Sequence, residues 1–265
     1  MEEMLDELET DGVAPEIPFD RFSDDGWVRT SGHVPSEMNL TIYVNRKELV
    51  TVLCTPLKLN CLVLGFLYSE GIIKAMSDVV AMRVCEDDSL ADVTLTDSEY
   101  QLPTVRTLTS GCGGGASFST SQRDKLDSDL SVKPEQVLSL MKKLQVQSDL
   151  YRLCGGVHAS ALSDTKDILV LSEDIGRHNT LDKIQGECLL RRMPTRDKLL
   201  LSTGRVSSEM LLKAAKMETP VVVSRSSPTV RAVSLANDLG IAMVGYARAG
   251  HIQVYSHPER LGLSS

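Results

Sequence analysis

The chain has 265 residues, 42% of them apolar, which is enough to bury a core in one large α/β domain or two modest ones. No apolar run approaches the ~20 residues that cross a bilayer, and the opening MEEMLDELETDG has neither the basic nor the apolar region of a secretory signal. A cytoplasmic protein is expected, with neither a membrane nor a nucleic acid as partner. The net charge of −8 reports one segment: residues 1–25 hold ten acids and one base, while the rest carries 26 acids and 27 bases, so an anionic ligand is not excluded.

Residues 1–33 read as an acidic, disordered leader. Residues 38–54 contain two short alternating runs around Asn45-Arg46-Lys47, the pattern of an antiparallel hairpin. Pro56 is expected to open a helix to about Tyr68, with apolar residues at Leu59, Leu62, Val63 and Phe66 and Gly71 beyond its end. Residues 79–85 and 91–96 read as strands. Residues 103–123 then break the pattern with four glycines around Cys112 and a Ser/Thr-rich stretch, which predicts a mobile surface loop. An amphipathic helix follows from Pro134 to near Leu144. Together, residues 34–148 form an expected α+β part that includes the Cys loop.

From residue 149 the rhythm changes. Strand-like runs at 157–162, 167–174, 198–203, 220–224, 242–247 and 251–256 alternate with helical runs at 177–192, 207–217 and 229–239. That alternation implies a layered α/β sheet with partly parallel strands. Ser227 is the expected N-cap of the last helix, with Pro228 at its first position.

In such sheets ligands bind where strand ends lead into helices. Three loops of that kind carry Arg beside Gly or a small hydroxyl: Gly176-Arg177-His178-Asn179, Thr203-Gly204-Arg205 and Ser224-Arg225. Helix N-termini and bidentate Arg donors suit phosphate, so a nucleotide pocket is expected there, with Asp182 a further candidate. Glu173 and Asp174, adjacent at a strand end, point apart and make no catalytic acid pair.

Six cysteines without Cys-x-x-Cys spacing suggest neither a disulfide framework nor structural zinc. Cys54, Cys61, Cys85 and Cys188 lie in apolar patterns and read as core residues; Cys154 reads as a buried helix-end residue. Cys112 differs, because glycines leave its sulfur uncovered and successive backbone N–H groups favour thiolate. The residues alone leave an inert loop cysteine open. Zinc-deaminase and Gly-x-Ser-x-Gly signatures are absent.

In LGFLYSEGII (64–73), TSGCG (109–113), GGVHASAL (155–162), SEDIGRHNTLDK (172–183), STGRVSSEM (202–210), the block 222–250 and VYSHPERL (254–261), the chain resembles the FdhD family of formate dehydrogenase accessory sulfurtransferases. The resemblance implies a cytidine-deaminase-like α/β/α fold without the deaminase zinc, and a homodimer. It implies a sulfur carrier in which Cys112 accepts sulfur from a cysteine desulfurase as a persulfide. The sulfur would pass to the molybdenum or tungsten bis-guanine-dinucleotide cofactor, a cargo that GDP should mimic, on its way to formate dehydrogenase. It places cofactor contacts at Tyr246, Ala247, Arg248, Ala249, Gly250 and His251. Many relatives have a second loop cysteine where this chain has Gly115. A cofactor chaperone that transfers no sulfur, and a redox switch at Cys112, remain alternatives.

Overall fold

The structure, a computed structural model, describes residues 10–101, 107–108, 116–117 and 125–263. Cys112 lies outside the described residues, as does most of the stretch expected to be a mobile loop. Within that stretch α- and β-forming signals are weak, and the described part is one short pairing of β7 (Thr107–Leu108) with β8 (Ala116–Ser117).

Part of the segment expected to be a disordered leader is folded. After a short helix α1 (Thr10–Val13), β1 (Glu16–Ser23) and β2 (Gly26–His33) form an antiparallel ribbon whose tip carries the tilted Phe22–Trp27 ring pair. Cross-strand pairing of aromatics and of Asp20 with Arg29 supplies order that the acidic composition conceals.

β3 (Met38–Val44) and β4 (Lys47–Cys54) form the expected hairpin, with Asn45 and Arg46 in the left-handed conformation of a two-residue turn. β5 (Val79–Cys85) and β6 (Leu90–Leu95) complete a sheet of order β4-β3-β6-β5. Helix α2 (Leu59–Ser69) covers one face and is buried along most of its length. It starts after Lys58, not at Pro56, because Lys58 takes a left-handed conformation that cannot continue a helix backward.

The second sheet has the order β10-β9-β11-β12-β13-β14. Its strands are β9 (His158–Ser163), β10 (Ile168–Asp174), β11 (Leu199–Ser202), β12 (Val221–Ser224), β13 (Ala242–Arg248) and β14 (His251–Ser256). β11, β12 and β13 are parallel; β9 runs against both β10 and β11, so β10 points the same way as the parallel set. Side chains alternate between two cores. Leu162, Val170, Leu200, Val222 and Met243 meet the helices α5 (Arg177–Arg191), α6 (Ser208–Lys216) and α7 (Val230–Leu239). Ala161, Leu199, Leu201, Val223 and Val244 face α3 (Pro134–Gln147) on the other side. The result is an α/β/α layering.

Helix α3 therefore belongs with the second sheet. The boundary expected at residue 148 falls after it, but its apolar face is buried against strands that begin at His158. A short helix α4 (Asp149–Cys154) follows it. Helix α7 starts at Val230 with Thr229 as N-cap, its hydroxyl accepting from Ala232 N, and not at Ser227-Pro228. Pro228 is instead drawn into a bridge with Val206.

The two sheets are joined at a seam where α2 crosses α5. A methyl on Gly65 would lie 1.7 Å from the Asp182 carbonyl oxygen, and one on Gly186 would lie 1.9 Å from that of Cys61. Only glycine permits this backbone approach. No helix among the described residues is long and apolar enough to cross a membrane.

Candidate functional site

Because β10, β11, β12 and β13 share a direction, their carboxyl ends lie along one edge of the sheet, and the loops into α5, α6 and α7 leave from it. β9 runs the other way and so brings its first residue, His158, to the same edge.

The three Arg-bearing loops are stitched together by short polar contacts. Ser202 Oγ accepts from Gly204 N at 3.1 Å and from Ser160 Oγ at 3.0 Å, and Ser160 is 2.7 Å from the Thr180 hydroxyl. Thr203 exchanges hydrogen bonds with Ala159, its hydroxyl accepting at 3.0 Å and its N–H donating at 2.9 Å. Ser224 Oγ donates to the Gly204 carbonyl at 2.7 Å, and Arg225 N donates to the Ser202 carbonyl at 2.9 Å. Tyr246 N donates to the Ser226 carbonyl at 3.1 Å, which ties the end of β13 to the third loop. A methyl at Gly204 would stand 3.1 Å from Arg177 Cβ and 3.3 Å from His158 Nδ1. Gly204 thus lets Arg177 and His158 share one small space.

Histidines at this edge are held neutral. Burial, then Lys213, Arg177 and His158, push His178 down to about 3. Its Nε2 is 3.3 Å from Ser207 Oγ and 3.2 Å from Glu209 Oε2. The neutral ring protonated on Nε2 donates to that carboxylate, so the contact does not require imidazolium. His158 is also lowered, first by burial and then by Arg177, with Asp174 opposing.

The structure divides the remaining candidates. Arg177 is buried, Arg225 half-buried, and Arg205 exposed beside the loop. Gly176 is boxed in by Asn179, whose amide donates to Asp174 Oδ1 at 2.8 Å and to the Leu53 carbonyl at 2.9 Å. Asn179 therefore fixes the loop and offers its amide hydrogens to no ligand. Asp182 is corrected in the same way: Lys213 Nζ holds its two oxygens at 2.5 and 2.7 Å, Ser69 Oγ donates to it at 2.7 Å, and it is buried in the seam away from the edge. Asp174 is no ligand either. It pairs with the fully buried Lys183 at 2.5 Å and accepts from Thr55 N and Gly176 N. Glu173 points the other way, accepting from Leu150 N and Tyr151 N, and burial raises it. Nothing local marks Lys183 as buried, because its counter-charge lies nine residues earlier and its ammonium also donates to the carbonyls of Thr55 and Glu173.

The segment from Tyr246 to His251 spans the end of β13, the Ala249-Gly250 turn and the start of β14, with Tyr246, Ala249 and Gly250 left-handed. The Arg248 guanidinium lies 5.5 Å from the centre of the Tyr246 ring. This turn and the exposed face of α3 border a cavity of about 570 Å³, lined by Ser139, Met141, Lys142, Gln145 and residues 247–250. The α3 wall has no signature in the sequence.

Of the described thiols, Cys54, Cys61 and Cys188 are buried, and burial raises each, Cys54 and Cys188 to about 12. Cys85 donates to the Asp88 carboxylate and Cys154 to the Leu150 carbonyl. Cys85 and Cys154 are half-buried, Cys154 being less enclosed than its helix-end position suggests. Among the described residues no group of three His, Cys, Asp or Glu could hold a metal ion.

Residues 35–262 match the family described as FdhD/NarQ. The chain is 40% identical over 248 residues to the sulfur carrier protein FdhD of Staphylococcus haemolyticus, covering 91% of this chain and 94% of that one. It is 40% identical over 251 residues to the protein of the same name from Staphylococcus aureus strain MRSA252, covering 92% and 95%. A crystal structure described as a formate dehydrogenase accessory protein from Desulfotalea psychrophila superposes with a TM-score of 0.77 at 24% identity, over 94% of this chain and 99% of that one. That likeness concerns the fold.

Proposed function

This chain belongs to the FdhD/NarQ family, and from that premise we propose that it carries sulfur for the maturation of formate dehydrogenase, bound to Cys112 as a persulfide. The observation that carries the assignment to Cys112 is the chemistry of the other thiols. Three are buried with raised pKa, one faces a carboxylate, and one donates to a helix carbonyl, so none of the five is a good thiolate nucleophile. Cys112, in the family-matched TSGCG stretch, is the remaining one.

In this reading the Cys112 thiolate attacks the terminal sulfur of a cysteine desulfurase persulfide. The donor's S–S bond breaks, its electron pair leaves on the donor thiolate, and a new S–S bond forms on Cys112. The acceptor is the molybdenum or tungsten bis-guanine-dinucleotide cofactor, handled as cargo. When the Cys112 S–S bond breaks, its electron pair stays on the Cys112 thiolate. The metal supplies the two electrons that turn the departing sulfur atom into sulfide. The edge loops of Gly176, Arg177, Thr203, Gly204, Arg205, Ser224 and Arg225, with the turn from Tyr246 to His251, receive the phosphates and nucleotide arms. Arg205, Arg225 and Arg248 are the accessible cations, while Arg177 and the neutral His178 form the wall behind them. A homodimer in the cytoplasm is part of the same proposal.

Cys112→Ala should abolish formate dehydrogenase activation in cells lacking the native gene. Incubation with a desulfurase and cysteine should add sulfur at Cys112 and at no other thiol, as read by mass spectrometry. A variant that keeps most of its activating power would replace this reading with that of a cofactor chaperone.

A further inference from the structure

We infer that Lys142 of α3 is a phosphate-binding residue facing Arg248 across the cavity between α3 and the β13–β14 turn, so that α3 forms the second wall of a nucleotide-arm site. The inference rests on the reading above, which places a guanine dinucleotide at the turn, and extends it to an element that the sequence motifs leave out.

The first observation is the cavity itself. About 570 Å³ lies within the range of small-molecule sites. The second is its charge. Lys142 and Arg248 stand on opposite walls, and among the described residues no Asp or Glu lines the space, in a chain whose net charge is −8. The third is the contrast along α3. Lys143, the next residue, is tied to the Asp167 carboxylate and the Lys166 carbonyl. Lys142 has no acidic partner among the described residues, and its ammonium is left for a ligand. Ser139 and Gln145 lie three residues to either side of it on the same exposed face and add neutral hydrogen-bonding groups. Beneath them Leu138, Met141 and Ala247 give an apolar floor suited to a ribose or base face. Gly250 has open space beside it, so a ligand can reach the turn's backbone. Two cations and an apolar floor fit a diphosphate attached to a flat ring better than they fit either part alone.

The test is calorimetric titration of the full chain with GDP, guanosine and inorganic pyrophosphate. Lys142→Ala should bind GDP about tenfold more weakly, the loss of one charge-assisted contact, and bind guanosine as the parent does. Lys142→Arg should restore GDP affinity, and Lys143→Ala, on the same helix but outside the cavity, should leave it unchanged. Undiminished GDP affinity in Lys142→Ala overturns the inference while leaving the sulfur-carrier reading intact. So does an equal loss of GDP and guanosine, which would make Lys142 structural. If the parent protein binds no guanine nucleotide at all, the cofactor reading fails and this one falls with it.

Discussion

Helix α5 passes through two regions built on opposite terms. Its body lies in the seam against α2, where backbones meet at Gly65 and Gly186 and the buried charges of Asp174 and Asp182 have partners in Lys183 and Lys213. Its first turn lies at the sheet edge, where the loops bearing Arg177, Arg205 and Arg225 leave the strands and the Glu209 carboxylate is engaged by His178. The buried carboxylates of the seam are paired within the chain. The edge presents Arg205, exposed, and Arg225, half-buried, at the surface of the sheet's end. Sequence alone presents both as the same motif, SEDIGRHNTLDK, and the structure shows that its two halves answer different needs.

The comparison breaks most visibly if the seam tolerates bulk. Gly65→Leu should cost more than about 4 kcal/mol, because relief of the clash requires the helices to part; a near-parental urea midpoint would show that the seam is looser than described. Next, Lys183→Met should cost about 3–5 kcal/mol by leaving Asp174 buried and uncompensated, measured by the same denaturation. Lys213→Met, at the half-buried end of the Asp182 pair, should cost less. A smaller effect concerns pH. His178 titrates near 6.5 when unfolded and at about 3 when folded, so the folded state disfavours its proton. Its contribution is complete above pH 6.5 and is lost as pH falls toward 3, by at most about 1.4 kcal/mol per unit. His178→Gln should flatten the melting-temperature profile across that interval, and an unchanged slope would assign the acid loss to carboxylates. Smallest of all, Arg205→Ala should move stability by no more than about 0.5 kcal/mol while weakening GDP binding. An effect on folding instead of binding would place Arg205 with the seam.

The alternation of the C-terminal half was legible because strand and helix periods differ, and its six strands and the helices α5, α6 and α7 lie over the runs that the pattern marks, while the short α4 was not among them. The start of α7 was misplaced because Pro228 serves a bridge to Val206 that no local signal announces. The ribbon of β1 and β2 was missed because its acids dominate the composition while its order comes from cross-strand partners. Loop chemistry picked out Arg177, Gly204 and Arg225, which the structure brings to one edge of the sheet. It could not separate Asp182 and Asn179, which hold the scaffold, from residues that face outward, since that depends on Lys213 and Leu53, remote in sequence. The amphipathic pattern predicted α3 as a helix, but only tertiary placement brings its polar face to the β13–β14 turn.

The seam also sets an order of events during synthesis. Helix α2 leaves the ribosome about 120 residues ahead of α5, and its apolar surface has no cover from that side until α5 arrives. At about 5–20 residues per second, α2 waits roughly 6–24 seconds. Nascent chains should therefore be most prone to sticking, and most dependent on chaperones, in the interval before residue 191 has emerged.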